Sequence, residues 1–313
     1  MKILYIINPV SNGGRTKKIE RFLQDWPYPE GTEIKIRETT RPGVGKEIAR
    51  AEAANYDVIC SVGGDGTLNE VASGLYEAKA GVLGIIPSGT GNDTMKGLGW
   101  SDDIDEAIKR VVHGQIREID GGLADGHFFI NIASIGFDAM VVKGTEKIKT
   151  KVKNESAYTL SLLKTFFTYR DIDYVEIGSD EKDVVSPETG PATGAKTETG
   201  SGKVNSLFLF AVGNGRFYGG GFQVLPQAEF DDGYLDVCVV QNISRPKLLL
   251  LFPSIFKAKH AKHKKYVTMK RVKDYTVQPL EDFLLNLDGE LVSYQANQRI
   301  RFQVQEKVLK LMQ

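Results

Sequence analysis

The feature that most restricts this chain is a set of three small-residue turns, each directly after a short β-branched run. Asn8-Pro9-Val10-Ser11-Asn12-Gly13-Gly14-Arg15 follows the run at 3–7, Gly63-Gly64-Asp65-Gly66-Thr67 follows 57–62, and Pro87-Ser88-Gly89-Thr90-Gly91-Asn92-Asp93 follows 82–86. A further run lies at 33–37, and helical periods lie at 16–23, at 45–54, after Thr67 and at 103–112. That alternation predicts βα units around a largely parallel sheet covered by helices. In such a sheet the turns after the strands gather at the carboxyl edge, where ligands bind.

Glycines in those turns let backbone N–H groups approach phosphate oxygens with no Cβ in the way, and a following helix N-terminus adds partial positive charge. A single such turn reads equally well as a tight strand-to-helix connection with Thr67 as N-cap. Three at one edge favour a nucleotide cleft. Two other phosphate motifs fail. Gly45-Lys46 is followed by Glu47, which breaks a Walker loop, and Gly89-Thr90-Gly91 is followed three residues later by Thr94, which breaks the dinucleotide fingerprint.

After about residue 122 the pattern changes to short strand-like runs at 128–133, 173–177, 207–212 and 235–240, separated by Gly, Asn and Asp turns. This half is expected to be a β-sandwich with helical insertions. Residues 180–203 are rich in Gly, Ser, Thr, Pro and Glu and are read as a long mobile loop. The chain of 313 residues is long enough for two domains. Its 40 basic and 40 acidic residues cancel, so no global field points to nucleic acid. The two cysteines, Cys60 and Cys238, offer neither a disulfide framework nor a metal spacing, and Cys60 sits in an apolar run as a core residue. The longest apolar stretch, 248–252 extended through Ile255 and Phe256, is well short of the roughly 20 residues of a spanning helix. A soluble, cytoplasmic protein is expected.

In the order and spacing of these motifs, together with Asp231-Asp232-Gly233-Tyr234-Leu235 and Asn286-Leu287-Asp288-Gly289-Glu290, the chain resembles the diacylglycerol kinase catalytic-domain family, which includes sphingosine and ceramide kinases and soluble bacterial lipid kinases. The resemblance covers nearly the whole chain. It implies an N-terminal Rossmann-like, NAD kinase-like α/β domain (1–122, with about 286–313 returning to it) and a C-terminal β-sandwich domain (123–285). It also implies ATP-dependent transfer of a phosphoryl group to a lipid hydroxyl, with diacylglycerol the first expectation. Asn8, Pro9, Thr39, Gly63, Gly64, Asp65, Gly66, Thr67, Leu68, Asn69 and Thr90 would line the ATP site, with Thr40 the alternative to Thr39. Magnesium would sit on Asp232 and the carbonyls of Glu229 and Tyr234, where the Glu229 carboxylate is an addition to the usual pattern. Asp288 or Glu290 would be the general base; residues two apart on a strand share a face, so both remain candidates. Asp65 and Asp93 would complete an acidic network.

Other readings stay open. NAD kinases share the Gly-Gly-Asp-Gly-Thr turn, although Asn8-Pro9, the 87–93 turn and Asp288-Gly289-Glu290 fit lipid kinases better; a nucleotide-binding regulator without turnover is the alternative outside enzymes. Residues 246–265 join leucines and phenylalanines to Lys257, Lys259, Lys262, Lys264 and Lys265, either as a core-packed helix with a solvated basic end or as a peripheral contact with an anionic membrane. His260 and His263 are read as solvated rather than metal-bound. Leu160, Leu163, Phe166 and Phe167 are read as core packing, with an acyl-chain groove as the alternative, and Tyr218-Gly219-Gly220-Gly221 as a lid near the cleft. An edge strand of the β half leaves a route to a homodimer. The acceptor lipid has no linear motif: monoacylglycerol, undecaprenol, sphingoid bases and phosphatidylglycerol stand beside diacylglycerol.

Overall fold

The structure, a computed structural model, describes residues 1–11, 16–149, 155–182, 204–241 and 243–313. Residues 12–15 of the first turn, and all but the start of the 180–203 loop, fall outside the described residues. The first part of the chain runs β1 (Lys2–Ile7), α1 (Thr16–Asp25), β2 (Glu33–Glu38), α2 (Val44–Glu52), β3 (Val58–Gly63), α3 (Asp65–Ala78), β4 (Val82–Pro87), α4 (Asp93–Leu98), α5 (Ile104–His113) and β5 (Ile116–Ala124). The second runs β6 (His127–Phe129), β7 (Ile132–Gly136), α6 (Phe137–Lys149), α7 (Glu155–Thr168), β8 (Ile172–Lys182), β9 (Asn205–Gly213), β10 (Leu235–Gln241), α8 (Arg245–Leu251), β11 (Val267–Pro279), β12 (Phe283–Leu287), β13 (Glu290–Tyr294) and β14 (Ile300–Met312).

Strands β2, β1, β3 and β4 are parallel neighbours in that order, and β14 joins parallel to β4. Both faces of this sheet are covered. Leu4, Ile6, Ile59 and Leu83 pack with Val71 and Leu75 of α3 on one side; Ile3, Tyr5, Ile7 and Cys60 pack with Leu23 of α1 and Ile108 of α5 on the other. A strand buried on two faces needs apolar residues at every position, which is why the run at 3–7 shows no alternation. Cys60 and Cys238 are fully buried, and burial pushes both thiols up, Cys238 to about 12, as core residues rather than nucleophiles.

The second part is antiparallel. β8 pairs with both β9 and β11, while β10 pairs with β9 and β11, so the four strands form a closed circuit that hides their edges. β7, β12 and β13 extend from β9, and α6 and α7 pack on each other. The strand that reaches the first domain is β14; residues 283–294 fold instead as the β12–β13 hairpin, whose β12 backbone finds its partners on β7. The run at 128–133, expected as one strand, is split between β6 and β7, because the N–H groups of Ile130, Asn131 and Ile132 turn onto the Asp288 carboxylate. His260 is buried rather than solvated, with Nε2 3.0 Å from the Val224 carbonyl. Among the described residues no helix is long and apolar enough to cross a membrane.

Candidate active site

The turns after β1, β3 and β4 meet. Asn8 N–H donates to the Val62 carbonyl at 3.1 Å, and Ser88 N–H donates to the Gly63 carbonyl at 2.8 Å. Asn8 Nδ2 lies 3.4 Å from Thr67 Oγ1, and Ser11 Oγ lies 3.3 Å from the Ser88 carbonyl. Gly64 and Gly89 approach backbone to backbone: a Cβ on Gly89 would stand 2.4 Å from Gly64 Cα. Helix α3 begins at this meeting point, and the first N–H groups of an α-helix have no intrahelical acceptor. Gly66 and Thr90 are exposed beside them, Pro9 is half-buried, and Leu68 and Asn69 are buried on the inner side of α3. Thr39 N–H donates to the Ile7 carbonyl at 2.8 Å with Thr39 buried, whereas Thr40 is exposed.

Asp65 ties the β3 and β4 turns together. Its carboxylate accepts the N–H groups of Asp93 and Thr94, both at 3.1 Å, and the Thr94 hydroxyl at 3.3 Å. Asp93 in turn accepts the Gly220 N–H at 2.7 Å on Oδ2, so the glycine turn at 219–221 docks on the first domain at this point. Its Oδ1 is buried with no hydrogen bond among the described residues and lies 3.6 Å from Lys96 Nζ. Burial, reinforced by the Asp65 charge, holds the Asp93 carboxyl above its ordinary range.

Asp288 and Gly289 form the two-residue turn between β12 and β13, with φ of 50° and 102°. Two successive positive φ values are the hairpin geometry that Asp-Gly favours. The turn overrides strand alternation, so the two acids do not share a face: Asp288 is buried and Glu290 is exposed. The Asp288 carboxylate accepts N–H groups from Ile130 at 2.8 Å, Asn131 at 3.2 Å and Ile132 at 2.7 Å. Burial outweighs those three donors and, with a smaller push from Asp65, moves its carboxyl up to about 7. Glu290 is raised by partial desolvation and by Glu70.

Beside this turn lies an apolar pocket of about 450 Å³, counting the part open to solvent, walled by Phe137, Val141, Leu162, Phe222, Phe252 and Ile255 with Asp138 and Tyr218 at its polar end. Asn286 Nδ2 bonds to the Tyr218 hydroxyl, to Ser134 Oγ at 3.1 Å and to Asp138 Oδ2 at 3.4 Å, and its Oδ1 accepts the Gly289 N–H at 3.0 Å. The polar end of the pocket is thus joined by one side chain to the Asp288-Gly289 turn. Asp138 is buried, its Oδ1 has no hydrogen-bond partner among the described residues, and burial raises its carboxyl. Sequence reasoning missed Asp138 and Ser134; an aspartate four residues after a serine in the otherwise apolar stretch 132–142 was the available signal. Of the four residues read as core packing, only Phe166 is in the core; Leu160, Leu163 and Phe167 are exposed.

The residues expected to hold magnesium lie together in the turn before β10, and there an arginine stands where a cation on the Asp232 carboxylate would sit. Asp232 Oδ1 accepts the Tyr234 N–H at 3.0 Å, and Oδ2 lies 3.1 Å from Arg271 Nη1, an ion pair without an aligned hydrogen bond. The Glu229 carboxylate is exposed, 3.7 Å from Arg216. Both Asp232 carboxylate oxygens thus face a group of this chain, Oδ1 a backbone N–H and Oδ2 the Arg271 guanidinium.

Comparison with known proteins agrees with the motifs. Residues 2–124 match the diacylglycerol kinase catalytic domain, and residues 131–313 match the YegS C-terminal NAD kinase beta sandwich-like domain. A diacylglycerol kinase of Staphylococcus saprophyticus is 31% identical over 78% of this chain and 73% of its own length. A Chromohalobacter salexigens protein described as a probable YegS-like lipid kinase is 30% identical over 68% of this chain and 64% of its own. A solved structure from Bacillus anthracis str. Sterne superposes over 99% of this chain and 96% of its own with a TM-score of 0.74 at 22% identity; a second, a diacylglycerol kinase, gives 0.68 at 20%. The chain belongs to the diacylglycerol kinase family, with a YegS-type C-terminal domain.

Proposed function

We propose that this protein is an ATP-dependent lipid kinase that transfers the γ-phosphoryl group to a lipid hydroxyl, with diacylglycerol the first acceptor to test and phosphatidic acid the product. The observation that carries this reading is the apolar pocket whose polar end is joined through Asn286 to the Asp288-Gly289 turn. A chain of methylenes belongs in such a wall, and a hydroxyl belongs at its polar end. ATP phosphates belong at the glycine turns and the start of α3. The acceptor oxygen bonds to the γ-phosphorus as the bond to the bridging oxygen breaks and ADP leaves, and the hydroxyl proton passes to a carboxylate. Asp288 is the better base: it feels the charge of Asp65 at the start of α3, and a carboxyl near 7 matches the working pH. Glu290 senses Glu70, about one turn further along α3. A magnesium ion arriving with the nucleotide would find Asp93 Oδ1 held, among the described residues, only by its 3.6 Å ion pair to Lys96, and would neutralise charge on the phosphates.

The test is transfer of labelled γ-phosphate into a panel of mixed-micelle lipids, with NAD as a parallel acceptor. Label in one lipid supports the reading and names the acceptor; label in NADP overturns it. With Asp288 as base, kcat/KM should rise about tenfold per pH unit below an apparent pKa near 7 and level off above it. Stability runs the other way. The folded carboxyl keeps a proton that the unfolded one, near 3.8, has released, so stability should fall as pH rises between those values.

Peripheral membrane contact is part of the proposal. Leu249, Leu250 and Phe256 are exposed next to Lys257, Lys259, Lys262, Lys264 and Lys265, and the same segment contributes Phe252 and Ile255 to the pocket wall. The protein should float with vesicles containing anionic lipid and be released by high salt; no flotation at low salt rules the contact out.

A further inference from the structure

The turn at 229–234 sits where two carboxylates are brought out of water side by side. Asp232 belongs to the turn, Asp236 is the second residue of β10, and their side chains are 18% and 4% exposed. Two acids so placed need a cation or a proton, since burial penalises each charge and each penalises the other. Arg271 stands directly opposite Asp236 in the β10–β11 register. Its guanidinium reaches Asp236 Oδ2 at 3.2 Å and the Gln227 carbonyl at 2.8 Å through Nη2, and Asp232 Oδ2 at 3.1 Å through Nη1. The planar fork of arginine suits this spread of oxygens better than a point charge would.

Other groups of the turn also have partners within the chain. The Phe230 carbonyl accepts the Asp120 N–H at 2.6 Å, and the buried Asp120 carboxylate accepts the N–H groups of Gly233 at 2.7 Å and Lys307 at 2.8 Å. Asp231 is paired with Arg117 at 2.7 Å. Asp120 lies on β5 and Lys307 within β14, so the turn is pinned to the strand pair that links the two domains.

We propose that Arg271 is a built-in replacement for a divalent cation at this turn, so that its conformation, and the junction it braces, do not depend on bound metal. A divalent ion on Asp232 would have to displace the guanidinium, and the two cannot share one carboxylate oxygen without strong repulsion. The role is structural. It leaves magnesium carried by the nucleotide as a separate requirement of the reaction.

The test reads stability in the absence of nucleotide. For the natural protein, the thermal midpoint should be the same in EDTA, in millimolar Mg²⁺ and in millimolar Mn²⁺. Arg271→Met leaves one buried and one half-buried acid without their cation; its midpoint should drop and then climb with the logarithm of Mg²⁺ or Mn²⁺ concentration, as mass action requires of a ligand that binds only the folded state. Arg271→Lys, which keeps the charge but loses the fork, should lie between them. A natural protein that loses stability in EDTA and regains it with Mg²⁺ overturns the proposal, as does an Arg271→Met protein no more metal-responsive than the natural one. Should Arg271→Met fail to fold, equilibrium dialysis of the natural protein against Mn²⁺ decides: binding that Asp232→Asn abolishes refutes the replacement, and binding unaffected by Asp232→Asn supports it.

Discussion

Asp288→Asn should lower kcat by about three orders of magnitude, within the range expected for loss of a general base, while nucleotide affinity stays within a few-fold of the natural value. The substitution removes the group that accepts the hydroxyl proton and leaves the glycine turns untouched, since none of the Asp288 hydrogen bonds reaches residues 63–67 or 87–93. It has a cost in stability as well. Both carboxylate oxygens accept backbone N–H groups, and an amide presents one oxygen and one NH₂ to the same donors. The unmatched donor should cost about 1–3 kcal/mol. Circular dichroism and the thermal midpoint therefore accompany the kinetics, so that a misfolded sample is not taken for a slow enzyme. Glu290→Gln is the companion: with Glu290 exposed at the start of β13, its kcat should fall far less. If Glu290→Gln is the inactive protein and Asp288→Asn turns over, the roles are exchanged and the pH profile must be reassigned.

The parts of this site that were legible in the sequence are those whose geometry is local. Glycines at 63, 64 and 89 and the asparagine-proline after β1 mark turns by their own backbone preferences, and a parallel sheet brings such turns to one edge whatever the side chains elsewhere do. The β-sandwich half was legible as a class from strand-length runs and turns. The Asp288-Gly289-Glu290 segment was legible and misassigned: Asp-Gly between apolar runs is a hairpin signal, and reading it as continuous strand put two acids on one face that the turn separates. The pocket and the arginine were not legible at all. Asp138 meets Asn286 across 148 residues, and Arg271 meets Asp236 across 35 through strand register. No periodicity or motif within either segment reports a partner that only the completed sheet brings near. His260 failed for the same reason: its burial depends on the Val224 carbonyl, set by another loop.

The second large effect belongs to Gly89. A methyl group there would sit 2.4 Å from Gly64 Cα, 2.8 Å from Asn92 Oδ1 and 3.2 Å from the Gly64 nitrogen, and two of those three atoms are backbone that cannot rotate away. Ordinary contact needs about 1 Å more, so Gly89→Ala must part the β3 and β4 turns by that distance or break the Ser88 N–H bond to the Gly63 carbonyl. Misplacement of about 1 Å in a positioning element costs on the order of a hundredfold. We expect Gly89→Ala to weaken ATP binding, measured by calorimetry, by about that factor and to depress turnover at least as much. Gly178→Ala is the control, since its Cβ would meet nothing within 4 Å among the described residues and its backbone is not in the left-handed region; it should bind ATP as the natural protein does. Unchanged ATP affinity in Gly89→Ala, with the fold intact, would mean that the close approach of the two turns serves packing and that the phosphates bind elsewhere. Reduced affinity with an unshifted thermal midpoint would assign the loss to the phosphate cradle itself, because a methyl group that merely disturbed the sheet edge would lower both together.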